Sequence, residues 1–316
     1  MQQSEAAADW RVRGRLFLSE LIGTALLVLG GLSVVILMFG DGSPMVRLVP
    51  NALLRTILTA FLFGMIGGAI ALSWVGRESG AHINPAVTMA FWLIRKLDLR
   101  TATGYIVAQM LGACLGALPL LAWGSMGRSV AFGATLPGEG YSTAVVLMGE
   151  AVTTFGLVAT LCVFIGFGPL RPLTPYVIPF LYAVIVPLEA PISGTSTNPA
   201  RTFGPALISG RWDGWWIYWL GPMLGMVIAI LVCSSLARRI EVAKLYHFES
   251  DRRRLFHRMA GSTQPVKPAR CCAMRPLRSI VGFAQLQQNE ELALTLRTVL
   301  GGGVDSRQTR SHEACL

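Results

Sequence analysis

Six stretches of the chain are apolar over the length that a helix needs to cross a bilayer, and no other feature narrows its fold as far. They lie at about residues 16–39, 51–75, 102–124, 144–168, 174–190 and 215–237, and about 20 residues cover the roughly 30 Å of hydrocarbon. Within hydrocarbon every backbone N–H and C=O must be bonded inside the protein, so runs of this kind specify membrane-crossing helices. Charged residues make up only 14% of the chain, against about 25% in soluble domains. A disordered chain, a collagen-like fibre and a small disulfide scaffold are excluded, and a soluble globular enzyme is disfavoured. Arg11, Arg13 and Arg15 before the first run resemble the charged region of a signal peptide, but the run itself is too long for a cleaved core and reads as a true first span.

Six crossings put both termini on one side. Arg11, Arg13 and Arg15 precede span 1, Arg95, Lys96 and Arg100 fall between spans 2 and 3, and Arg238, Arg239 and Lys244 follow span 6. Basic residues collect on the cytoplasmic face, so both ends are expected there.

Two further apolar segments, starting at Asn84 and Asn198, run only about ten residues. At 1.5 Å per residue each covers about half the membrane. Both follow the same kind of approach, Ser79-Gly80-Ala81-His82-Ile83-Asn84-Pro85-Ala86 and Ser193-Gly194-Thr195-Ser196-Thr197-Asn198-Pro199-Ala200. The repeat goes further: Glu20 in span 1 matches Glu150 in span 4, and Met110-Leu111-Gly112 in span 3 matches Met223-Leu224-Gly225 in span 6. Each half thus holds three crossings and one half-helix. An odd number of crossings per half inverts the second copy relative to the first.

Asn is a good N-cap, and Pro at the first helical position loses no hydrogen bond, so Asn84-Pro85 and Asn198-Pro199 begin helices. In an inverted pair their N-termini meet near the midplane. Each end carries a partial positive charge of about half an electron, which repels cations, while the Asn amides donate to a passing neutral oxygen. A water held there cannot readily accept from its neighbours in file, which interrupts a proton relay. The approach segments, being non-helical at that depth, must line a cavity or be buried in protein.

With these motifs on the page, the stretch from about 15 to 240 resembles the aquaporin, or major intrinsic protein, family. The resemblance rests on both Asn-Pro-Ala boxes, extended to Ser79–Thr88 and Asn198–Ala206, and on Glu20, Glu150, Ala108-Gln109 and Gly221-Pro222. It implies an all-α membrane fold of six helices plus two re-entrant half-helices, and a homotetramer with one pore per subunit in the plasma membrane. It implies passive passage of water and small neutral solutes. The pore motifs are then Asn84, Pro85, Ala86, Asn198, Pro199 and Ala200. Counting back from the boxes as in the family gives an outer filter of Gly64, Val186, Thr195 and Arg201, with Phe63 in place of Gly64 if the register slips by one. Thr202, Ala206 and Tyr218-Trp219 resemble the water-channel branch, whereas Gly64 and Val186 would leave the filter wide enough for a glycerol-like solute.

Arg201 alone could also be satisfied by loop carbonyls; the resemblance makes it the gatekeeper. Glu20 and Glu150 could form a proton relay, as in an ion-coupled transporter with inverted repeats, or could accept hydrogen bonds from the approach segments. The second role is favoured, because the midplane offers neutral Asn rather than an acidic cluster. His82, beside the first box, has no Cys, Asp or second His near it in sequence and is expected to pack or line the pore. No metal, cofactor or catalytic group is expected. Gly112 and Gly116, with Gly221 and Gly225, form small-xxx-small pairs for close helix packing.

Cys114, Cys162 and Cys233 lie in apolar runs and Cys271, Cys272 and Cys315 near the C-terminus, without metal or disulfide spacing. The net charge is +10, and residues 238–316 carry 14 Lys and Arg against 7 acidic residues. This excess, with Arg252, Arg253, Arg254 and Arg258 clustered, suits anionic lipid or a solvated extension. Nucleic acid would need interleaved aromatics on a basic surface and is not expected. The domain reading is a short N-terminal segment at 1–15, a channel at 16–240 and a flexible basic tail at 241–316, with a mildly amphipathic stretch at 278–300.

Overall fold

The computed structural model describes residues 2–248, with side chains from Trp10 onward. The basic cluster at 252–258, the last three cysteines and the stretch at 278–300 lie outside the described residues. Six long helices and two short ones make the bundle: α1 (Gln2–Phe39), α2 (Ala52–Leu72), α3 (Pro85–Leu93), α4 (Leu99–Ala117), α5 (Thr143–Gly166), α6 (Thr174–Ser193), α7 (Pro199–Ser209) and α8 (Ile217–Val232). Five stretches, α1, α2, α4 with its continuation to Ser129, α5 and α6 with its lead-in from Gly168, are long and apolar enough to cross a membrane, and α8 is a shorter apolar helix.

The helix limits depart from the apolar runs for local reasons. The first helix begins at Gln2, well before the run at 16, so residues 2–15 are continuous with span 1. Pro119 has no N–H to continue α4, and the chain tightens into a 3-10 helix at Leu118–Trp123. At the far end α8 stops at Val232 and a short turn follows at Ser234–Ala237, so the run to 237 is not one helix. Starts are capped where the sequence offers an oxygen. Asn51 Oδ1 accepts from Leu54 N at 2.9 Å, and Asp98 Oδ1 from Thr101 N at 2.9 Å.

The glycine pairs set the packing. A methyl group at Gly112 or Gly116 would lie 2.2 or 2.3 Å from the carbonyl oxygens of Leu21 and Ala25, so α4 rests on the backbone of α1. In the second half, Gly225 of α8 holds the same relation to Ala151 of α5, at 2.0 Å. Small residues allow this contact where no hydrophobic effect drives helices together. Between the halves, α2 meets α6 through Gly64 and Gly68, where a methyl would come 2.6 Å from Pro179 Cα and 2.5 Å from the Pro175 oxygen.

Beyond α8 the chain turns back under the bundle. Val242, Ala243 and Lys244 are buried, Leu245 N donates to Gly80 O at 3.1 Å, and Lys244 Nζ donates to Arg77 O at 2.6 Å. Residues 241–248 therefore belong to the packed bundle and not to a flexible tail.

Candidate functional site: two half-helices around one cavity

Each half-helix starts as its sequence dictates. Asn84 and Asn198 have extended backbones, and their Oδ1 atoms accept from Ala86 N at 2.8 Å and Ala200 N at 3.0 Å. The Nδ2 atoms point the other way: Asn84 donates to Thr197 O at 2.9 Å and Asn198 to Ile83 O at 2.8 Å. The two helix starts thus face one another, and each NH2 keeps one N–H beyond that bond.

The approach loops leading to these caps adopt an uncommon backbone. Ala81, Ile83, Thr195 and Thr197 all have positive φ, between 42° and 51°, conformations that cost about 1–3 kcal/mol each outside glycine. Two buried carboxylates hold them. Glu20 accepts from Ser79 Oγ at 2.6 Å, His82 N at 3.0 Å, Ile83 N at 2.7 Å and Gln109 Nε2 at 2.7 Å. Glu150 accepts from Ser193 Oγ at 2.5 Å, Ser196 N at 2.7 Å and Thr197 N at 2.9 Å. Both carboxylates are fully buried, and neither lines the cavity.

Two tyrosines complete the scaffold, Tyr105, which sequence reasoning missed, and Tyr218, which it read only as a water-channel feature. Tyr105 Oη donates to Ser79 O at 2.8 Å and Tyr218 Oη to Ser193 O at 2.9 Å. Each stands five residues before its Met-Leu-Gly motif, a correspondence the repeat itself carries. His82 is held at both ring nitrogens. Its Nε2 faces Ala243 O at 3.1 Å and therefore carries the proton, while Nδ1 faces Thr88 Oγ1 at 3.3 Å; the ring stacks on Phe91.

A cavity of about 560 Å³ runs past both caps, lined by Asn84, Asn198, Val186, Thr195 and Arg201. Gly64 is not among its walls. Phe63 is, because Gly64 faces Pro179 and one residue along a helix turns the side chain by about 100°. Of the two registers left open for α2, Gly64 is therefore set aside and the cavity wall carries the Phe63 ring. The Arg201 guanidinium lies 5.8 Å from the Phe63 ring centroid and donates through Nη1 to Gly133 O at 2.8 Å. Thr195 also lines the cavity, with its hydroxyl beside the buried Glu189 carboxylate of α6. At the opposite end of the cavity the wall includes Leu245 from the segment after α8, a contribution that no sequence signal marked.

The comparisons with known proteins identify the family. The family described as Major intrinsic protein is matched over residues 8–233. The lens fiber major intrinsic protein of Gallus gallus is 30% identical over 262 residues, covering 77% of this chain and 91% of that one. Probable aquaporin PIP2-8 of Arabidopsis thaliana is 37% identical over 189 residues, which is 55% of this chain and just under two thirds, 66%, of the relative. In the X-ray structure of the aquaglyceroporin from Plasmodium falciparum the fold is alike, with a TM-score of 0.59 over 72% of this chain and 96% of the other at 20% identity. The chain belongs to the major intrinsic protein family.

Proposed function

We propose that the cavity is a pore for single-file water that rejects ions and protons and passes small neutral solutes far less readily. At the coarser level the chain is a passive membrane channel for water and small neutral solutes, a member of a family of channels and not of enzymes. The observation that carries the proposal is the pair of half-helix N-termini, Asn84 and Asn198, tied to each other across one cavity.

The chemistry follows from what these groups are. Two helix N-termini present positive potential to anything between them, so a cation meets a barrier there. Asn84 and Asn198 offer N–H donors to a water oxygen, which turns its hydrogens away along the file and breaks the chain of identically oriented waters that proton hopping needs. Arg201 adds fixed positive charge nearer the mouth, and Thr195 adds a hydroxyl that serves as donor or acceptor. Phe63 and Val186 supply the apolar walls that make the passage narrow.

An ion-coupled transporter has no support. Its carboxylates would have to meet the ion, and Glu20 and Glu150 are buried behind the loops with their oxygens taken by N–H and O–H donors. A homotetramer, a plasma-membrane location and cytoplasmic termini belong to the same proposal, supported by the family and by the placement of the basic residues. Osmotic shrinkage of proteoliposomes tests it. Water flux well above that of empty vesicles, without proton or potassium current, is expected; a proton or potassium flux comparable to the water flux overturns it.

A further inference from the structure

The lining stripe of α6 recurs every four residues, Thr174, Ile178, Tyr182, Val186 and Ala190, which all line the cavity. A spacing of four keeps side chains on one helix face. Within that stripe Tyr182 is the single aromatic residue, and it stands one turn from Val186 toward the middle of the helix.

Its surroundings fix the ring at the point where the filter gives way to the half-helix caps. The Tyr182 and Phe63 rings meet edge to face, with centroids 6.4 Å apart and planes at 76°. At the other end of the ring, Oη lies 3.1 Å from Thr197 Oγ1. Thr197 is the residue whose carbonyl receives the amide of Asn84. The phenol therefore bridges the filter wall and the meeting point of the two boxes, held at both ends.

We propose that Tyr182 is a second selectivity element of this channel, a constriction between the filter and the paired Asn residues that holds back solutes bulkier than water. The proposal rests on the channel reading above. Val186 and Phe63 wall the filter, and the Tyr182 ring lines the cavity one helical turn from Val186, against Phe63. A three-carbon polyol that passes the filter must then slide along the phenol in an extended form, whereas water needs no such fit. The hydroxyl, already bonded to Thr197, keeps further hydrogen-bonding capacity that a single water can use.

The test compares glycerol and water permeabilities of proteoliposomes by stopped-flow light scattering. Tyr182→Val should raise the glycerol-to-water ratio by about tenfold, the scale on which a hydrophobic site discriminates small differences in bulk. Tyr182→Phe keeps the ring and should raise it far less. Phe63→Ala, measured beside them, reports the loss of the filter ring together with its edge contact on Tyr182. If Tyr182→Val leaves the ratio unchanged while water flux persists, the inference is overturned and the channel reading stands. If the two Tyr182 variants gain equally, bulk is not the cause and the constriction is likewise overturned. If the wild type moves no water above empty vesicles, the channel reading itself fails and takes this inference with it.

Discussion

Asn84 and Asn198 are bonded to each other's approach loops in a reciprocal pair, Asn84 Nδ2 to Thr197 O at 2.9 Å and Asn198 Nδ2 to Ile83 O at 2.8 Å. The carbonyls involved belong to the residues just before each Asn. The relation fixes the two half-helix starts at a set separation and orients both amides without any covalent link. Each Asn does two jobs at once, since its oxygen caps its own helix while its nitrogen holds the other half.

Asn198→Asp separates these jobs. The carboxylate keeps the cap, but it loses the donor to Ile83 O and places negative charge between two positive helix ends. Cation exclusion should relax, seen as sodium or potassium flux in vesicles that retain water permeability. A well-folded variant with unchanged ion impermeability would refute the role given to the amide.

Gly64 marks a limit of sequence reading. Counting from the boxes did not choose between Phe63 and Gly64, and the polar signal that could have done so went unused: Thr59 and Thr56, one and two turns earlier, share the cavity-lining face with Phe63. The choice is made by Pro179, over a hundred residues away, whose Cα would lie 2.6 Å from a methyl on Gly64. Gly64→Ala should therefore destabilise the bundle by about 1–3 kcal/mol, the usual cost of overpacking, with little change in the glycerol-to-water ratio. A melting temperature in detergent equal to wild type, or a marked change in selectivity, would return Gly64 to the pore.

What the sequence made legible was whatever the repeat wrote twice. The boxes, the two buried glutamates and the glycine pairs recur in both halves, and their chemistry required the partners that the structure supplies. The scaffold role of Tyr105 and Tyr218 was legible in the same way but passed unread, Tyr218 having been taken only as a water-channel feature, because a tyrosine in a span does not reveal its partner carbonyl. Tyr182 and Leu245 have no counterpart in the repeat. Their places depend on contacts with distant elements, Phe63 and Gly80, that no local pattern encodes.

Leu245 gives the next expectation. It lines the cavity and is anchored there by the bond from its own N–H to the carbonyl of Gly80, a residue with a φ of +92°. Leu245→Trp should reduce water permeability severalfold and Leu245→Ala should increase or preserve it, at equal protein density in the vesicles. Equal flux in the tryptophan variant and the wild type would show that water leaves by another path.

Asp98 supplies a pH dependence outside the spans. Burial raises its carboxyl pKa, but hydrogen bonds from Thr101 and from Arg13, whose Nη1 lies 3.0 Å from Oδ1, outweigh that and hold it below the usual carboxylate range. A depressed folded pKa contributes stability that is present above the unfolded value of about 3.9 and is lost as pH falls through the folded one. The melting temperature should thus be flat from neutral pH to about 5 with respect to this group and fall below about 4. Asp98→Asn should lower it at neutral pH and flatten the acid limb; an unchanged acid limb would assign the loss to other carboxylates.

Mercurial sensitivity tests the placement of the filter from a different direction. The described cysteines are Cys114, Cys162 and Cys233, all with free thiols and all within the bundle. None lines the cavity, whereas Thr195 does. A mercurial that reached a thiol at residue 195 would sit in the water path beside Arg201, while one bound at Cys162 would have to enter a packed helix interface, where the side chain is 2% exposed. Wild-type water flux should therefore resist mercuric chloride, and Thr195→Cys should become sensitive, with recovery on adding excess small-molecule thiol. Block of the wild type that disappears when Cys162 or Cys233 is replaced would put the sensitive point in the bundle interior, and an insensitive Thr195→Cys variant would remove residue 195 from the pore wall.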